Sequence, residues 1–208
     1  MKLSEKQIHI LNVAEELIAQ QGYDGTSVRE ICTKSNVNVA MISYYFGSKE
    51  KMMAYLYQYR VHKTRKNFSE FAATIMSGKP EMQMKEIIKY IVSQLFKYSY
   101  FHGFVTQELR YTDHLKDELL DFYKLCVNTL DEVVKKGIAM GIFTFAPKSE
   151  DILTNIIGAT LFVIRNKEFY RIYINANKDD VNYLKQAEKK VRTNLLFSVF
   201  ATLGYVSE

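Results

Sequence analysis

Apolar residues return every three to four positions along almost the whole chain, and only Pro80 and Pro147 interrupt it, both at apparent breaks. That spacing gives each of a series of helices one apolar stripe to bury. "IFTFAP" at 142–147 and "RIYIN" at 171–175 have some strand character but no partner segment, so they read as a loop and a helix end. The expected fold class is all-α. With 208 residues and an apolar fraction of 48%, the chain can build a sizeable core. The longest good apolar run, 156–164, gives way to Arg165 and Lys167, well short of the roughly 18 residues that span a bilayer. No membrane partner is expected. "MKLSEKQIHI" meets charges at once and lacks the core of a signal peptide. Cys32 and Cys126 lie far apart in helical patterns and read as buried free thiols of a reducing compartment. A cytoplasmic protein is expected.

Three short helical segments lead. Ser4 and Gln7 form a capping box ahead of Ile10, Val13, Ala14, Leu17 and Ile18, and "GYDG" at 22–25 stops that helix. Ser27 and Glu30 form a second box, opening a short helix that turns Val28, Ile31 and Cys32 inward. Asn36 stands where this helix must end, and asparagine tolerates the left-handed conformation better than most residues. Asn38 caps a third short helix to about Phe46, Gly47 ends it, and Ser48 caps a long fourth helix reaching Ser77. Further helices are predicted near 81–101, 103–112, 115–140, 150–173 and 180–204.

Two short helices joined by a tight turn make a helix-turn-helix, whose second helix enters the DNA major groove. In 38–46, Ile42 and Phe46 can face the core, leaving Val39, Ala40, Met41, Ser43, Tyr44 and Tyr45 outside. Such an apolar face suits thymine methyl groups, and tyrosine hydroxyls can donate to phosphates. Lys49 adds a cation at a helix N-terminus that itself favours anions. Ten basic and six acidic residues up to position 66 place most of the net charge of +5 in this part. Charge alone fits either a solvated surface or a polyanion-binding module.

"TSVREICTKSNVNVAMISYYFGSKEKM", with the helix before it, resembles the DNA-binding domain of TetR/AcrR-type transcriptional regulators. The matching positions are Thr26-Ser27, Ile31-Cys32, Val37, Tyr45-Phe46 and Ser48-Lys49-Glu50, and the resemblance covers roughly residues 5–55. It implies that Arg29 reaches a base or phosphate from the second helix. Val39, Ala40, Met41 and Tyr44 would face bases, while Asn38, Tyr45 and Lys49 would contact phosphates. Asn36 replaces the family's usual turn glycine and Ala40 a frequent one. Ser43 stands where a phosphate-binding tyrosine is common, a contact Tyr44 can take over.

The expected organisation is a helix-turn-helix DNA-binding domain at 1–50 and a ligand-binding and dimerisation helical domain at 51–208. Residues 81–140 are dense in aromatics, which at helical spacing line either a core or a ligand cavity. Phe96, Tyr100, Phe104, Gln107, Tyr123, Asn128 and Asn155 are the candidate ligand contacts. The last two helices carry apolar residues on more than one face, and the resemblance places a dimer interface there, with Gly158, Leu161, Leu195 and Val199 as its candidates. No histidine or cysteine spacing suits a metal, no cofactor is expected, and no catalytic motif is present. His102, beside Gly103, is the one imaginable catalytic group, and a satisfied structural histidine is the preferred reading of it. The expected partners are double-stranded operator DNA, a small-molecule effector and a second copy of the chain. The expected function is a repressor released from a palindromic operator by a small apolar or aromatic molecule. The alternative is a helical small-molecule binder or adaptor with a degenerate DNA-binding unit.

Overall fold

The computed structural model describes residues 3–101, 113–177 and 182–205. Among these the chain is helical, with no strand: α1 Glu5–Gly25, α2 Val28–Ser35, α3 Val39–Phe46, α4 Lys49–Ile75, α5 Pro80–Lys97, α6 Asp113–Ala139, α7 Ser149–Arg165, α8 Lys167–Tyr173 and α9 Tyr183–Thr202. The segment predicted as a helix at 103–112, with Phe104, Gln107 and His102 in or beside it, lies outside the described residues. No described helix is long and apolar enough to cross a membrane.

The chain forms two compact units, Met1–Arg65 with Tyr98–Leu119, and Lys66–Lys97 with Leu120–Glu208. In the first, α1 turns Ile10, Leu11, Ala14 and Ile18 into the interior, where Ile31, Ile42, Phe46, Met52 and Leu56 are also buried. The pattern breaks at Glu15. It sits on the buried side of α1, and Arg60 of α4, only 4% exposed, meets it there. Arg60 Nε donates to Glu15 Oε1 at 2.6 Å, Nη2 donates to the other oxygen, and the Tyr100 hydroxyl donates to Oε1. The guanidinium lies 4.1 Å above the Tyr98 ring. Both carboxylate oxygens are therefore used, as a charge in low dielectric requires. Burial holds the Tyr100 phenol well above its ordinary range, so it remains a donor.

In the second unit α5, α7 and α9 pack on one another. Ile87, Ile88 and Val92 of α5 meet Ile156 and Val163 of α7 and Val191, Leu195 and Val199 of α9 in one core, joined by Leu130 and Val133 of α6. The loop at 142–147 is held by hydrogen bonds from the Thr144 and Phe145 N–H groups to the Leu203 carbonyl, at 2.9 and 3.1 Å. Phe143 folds back over α6, where a Cβ on Gly137 would stand 2.0 Å from its ring. The helix predicted over 150–173 is broken. Asn166 leaves helical geometry at φ −109°, ψ 50°, and its side-chain amide donates to the Phe162 carbonyl at 2.9 Å. The Asn166 N–H donates to the same carbonyl at 2.9 Å, and the Asn166 carbonyl accepts from the Tyr170 N–H at 2.9 Å, so one helix ends and the next begins at this residue. Both cysteines are buried free thiols, and burial pushes Cys126 up to about 12 and also raises Cys32.

Arg60→Met strands the Glu15 carboxylate in the interior and is expected to lower the unfolding free energy by about 3–5 kcal/mol. The double variant Glu15→Leu, Arg60→Met is expected to be more stable than Arg60→Met alone. Urea unfolding at fixed protein concentration measures both. Losses that simply add would show that the two residues are not coupled.

Candidate nucleic-acid interface

The α2–turn–α3 element is specified almost residue by residue. The Ser27 hydroxyl accepts from the Glu30 N–H at 3.2 Å, and the Glu30 carboxylate accepts from the Ser27 N–H at 2.8 Å. These bonds from Ser27 hold the exposed Glu30 carboxyl below its usual range. At the other end Asn36 takes the left-handed conformation, φ 54°, ψ 49°. Its N–H donates to the Thr33 carbonyl at 3.3 Å, and the Val37 N–H to Cys32 at 3.0 Å. That pair of bonds is the Schellman closure, which satisfies carbonyls the helix end would leave open. His9 of α1 places Nε2 3.2 Å from the Ser35 carbonyl oxygen, tying the turn to the first helix.

Asn38 then starts α3, its Oδ1 accepting from the Met41 N–H at 2.9 Å. After the eight helical residues Val39–Phe46, Gly47, at φ 83°, ends it. In so short a helix position decides everything. Ile42 and Phe46 are buried, with Phe46 edge-on to Tyr55 of α4, centroids 5.5 Å apart. The opposite side is open: Val39 is 49% and Tyr44 84% exposed, Ala40 and Ser43 are exposed, and Met41 is half-buried. Tyr45 is half-buried at the flank, its ring centroid 5.2 Å from that of Tyr44. Asn38 is exposed, as is Arg29 on α2.

Lys49 opens α4 beside this surface, half-buried. Its Nζ donates to the Tyr23 carbonyl at 2.8 Å and stands 3.9 Å from the centre of the Tyr23 ring. An ammonium has three protons, so this bond positions the charge without consuming it. Tyr23 is the residue that sequence reasoning missed here; it follows Gly22, whose φ of 78° breaks α1 and turns the chain back. The structure thus brings Asn38, Val39, Ala40, Met41, Ser43 and Tyr44 onto one short helix, with Tyr45 and Lys49 beside it. This is an exposed, uncharged helical face with a fixed cation next to it.

The other candidate residues disperse. Phe96 and Tyr123 are half-buried against the core of the second unit. Tyr100 belongs to the first unit, where it serves Glu15. Asn128 and Asn155 are exposed, and Asn155 Nδ2 reaches only the Ser198 hydroxyl at 3.4 Å. They do not anchor an interior ligand as expected, because each sits on the solvent side of its helix. Gly158 lies under open space and Leu161 is half-buried, both compatible with an interface. Leu195 and Val199, expected at the surface, are instead in the core of the second unit, at 2% and 1% exposure. The large apolar residues that do face outward on these helices are Phe162, Leu184 and Phe197, 51%, 51% and 80% exposed. A groove of about 540 Å³ opens instead among Tyr173, Ile174, Asn175, Gln186, Lys189, Lys190 and Thr193. Among the described residues no three metal-ligating side chains come together.

Residues 10–56 match the family model described as bacterial regulatory proteins, tetR family. The chain is 32% identical over 123 residues to a protein named probable HTH-type transcriptional regulator YttP, from Bacillus subtilis (strain 168), with 59% of each chain covered. It spans about three fifths of the length of the curated relatives it matches. A Saccharomonospora viridis protein crystallised in complex with choline superposes with a TM-score of 0.73 at 17% identity, covering 99% of this chain and all of that one. The transcriptional regulator FadR from Bacillus subtilis, in complex with stearoyl-CoA, gives 0.58 at 20% identity, covering 91% and 97%. These two structures share the fold.

The turn generates a stability test. Asn36→Val forces a β-branched residue into left-handed geometry and is expected to cost at least 1–2 kcal/mol, whereas Asn36→Gly should be close to neutral (about 0.5 kcal/mol either way). Asn38→Ala removes the α3 cap and should cost about 1 kcal/mol. Thermal unfolding of the three variants checks the order; an Asn36→Gly variant as unstable as Asn36→Val would refute the left-handed turn.

Proposed function

Because this chain belongs to the TetR/AcrR family of transcriptional regulators, we propose that it acts as a homodimeric repressor of a roughly palindromic operator. It reads DNA with α3 and releases it when a small apolar or aromatic molecule enters the helical domain of residues 51–208. The observation that carries this reading is the outer face of α3, apolar and uncharged, set beside the Lys49 ammonium. A groove of bases with flanking phosphates fits both halves of the surface, the exposed apolar face that carries Val39 and Tyr44 and the cation beside it. Val39, Ala40, Met41 and Tyr44 face the bases, Asn38, Tyr45 and Lys49 the phosphates, and Ser43 and Arg29 lie at the edges.

One such helix reads only a few base pairs, too little to find a site in a genome. Two copies related by a two-fold axis double the reading, with half-sites about 34–36 Å apart or a multiple of that spacing. The second-unit surface around Gly158, Leu161, Phe162 and Phe197 supplies the apolar area for that pairing. Release requires an effector that binds the DNA-incompetent arrangement more tightly than the competent one. Ligands bound in proteins of this fold, stearoyl-CoA and choline, support a ligand-responsive role.

Selection from random duplexes is expected to return one preferred, roughly palindromic sequence; a pool without preference would favour the adaptor reading. Lys49→Ala should weaken selected and unselected DNA alike and flatten the dependence of log K on log salt by about 0.9, the share of one phosphate. Phe197→Asp should convert dimers to monomers in sedimentation at micromolar concentration and weaken operator binding. A wild-type protein that stays monomeric, on and off DNA, would sink the two-fold model.

A further inference from the structure

From Ser35 to Gly47 the chain carries no charged residue, and α3 lies wholly inside that run. This determines what the helix can tell apart. Guanine is distinguished in the major groove by two acceptors, N7 and O6, which need a forked or multiple donor such as arginine or lysine. Adenine offers an acceptor and a donor together, and a bidentate asparagine or glutamine answers both. Asn36 lies in the turn before α3, outside its span, and Asn38 has its amide tied to the helix N-terminus, where Oδ1 accepts from the Met41 N–H, so neither stands on the outer face of α3 as a fork for adenine. The Ser35 hydroxyl is buried and donates to the Ile31 carbonyl. What remains outward is Val39, Ala40 and the half-buried Met41, with the Ser43 hydroxyl and the Tyr44 ring and its hydroxyl, each hydroxyl a single donor that does not fork across N7 and O6.

Of the groups that the four bases expose in that groove, one is apolar: the C5 methyl of thymine. We propose that this protein recognises an A·T-rich half-site chiefly through thymine methyl groups packed against Val39, Ala40, Met41 and the Tyr44 ring, with no guanine read by α3. The inference rests on α3 being the DNA-reading helix and names the class of sequence it reads. Packing against Val39 and Tyr44 removes apolar surface from water on both sides, which a phosphate or a guanine edge cannot do. The cations close by do not change the assignment. Lys49 lies beyond Gly47 and is held by Tyr23, Lys34 pairs with Glu16 at 3.2 Å, and Arg29 projects from α2. They bind backbone or a flanking base, outside the span of α3.

The test replaces thymine by deoxyuridine, which removes the methyl and keeps every hydrogen-bonding atom. The full-length protein first selects its site from random duplexes; the site is then rebuilt with deoxyuridine at each thymine of the half-sites or, as control, at thymines outside them. We expect an A·T-rich half-site, about fourfold weaker binding per contacted methyl lost, and no change for the control. Val39→Ser should reduce the difference between thymine and uracil duplexes at its own base pair, and a difference as large as in the wild type would count against Val39 as the methyl contact. A selected half-site dominated by G·C pairs, or an A·T-rich one indifferent to deoxyuridine, overturns this inference and leaves the regulator reading standing. A selection without preference overturns the regulator reading, and this inference with it.

Discussion

The buried pair of Glu15 and Arg60 sets the geometry of the first unit, which carries α2 and α3. A carboxylate on the inner side of α1 has one arrangement that satisfies it: the guanidinium fork from α4, with the Tyr100 hydroxyl completing its coordination. Apolar side chains tolerate small slips between helices; a two-pronged ion pair in low dielectric does not. The pair therefore fixes the register of α1 against α4. Everything else in the unit is placed from those two helices, since α2 is tied to α1 through His9 and α3 rests on α4 through Phe46 and Tyr55.

Local features were legible from the sequence because their causes are local. Both capping boxes, the left-handed Asn36, the Asn38 cap and the Gly47 stop each depend on residues within four positions of one another, and each is present as read. The Glu15–Arg60 pair was not legible. Its members are 45 residues apart and Tyr100 is 85 from Glu15, and no periodicity couples them. Lys49 shows the same limit, since its tie to Tyr23 depends on how Gly22 turns the chain.

The last helices show a second kind of limit. A repeat of 3.6 residues tells which positions share a side of α9, but two apolar sides compete for the core and the pattern is silent on which one wins. Leu195 and Val199 won; Phe197, between them in sequence, was turned out. Similarly, aromatic density in 81–140 could not say whether rings line a space or fill it. Several of them pack on other rings: Tyr90 stacks on Phe71 of α4 at 4.2 Å, and Phe122 is edge-on to Phe68 of α4 at 5.9 Å.

On α3, the residues that keep the helix folded are a separate set from those that face outward. Asn38 starts it, Ile42 and Phe46 seat it and Gly47 ends it, while Val39, Ala40, Ser43 and Tyr44 bear almost none of that burden. Substitution at these four positions is therefore cheap for the fold. In the proposed complex it is also nearly neutral for the backbone grip, which resides in Lys49 and its neighbours. Gene duplication followed by drift at four codons could thus retarget a descendant to a new set of promoters while its folding, and its hold on DNA in general, stayed as inherited.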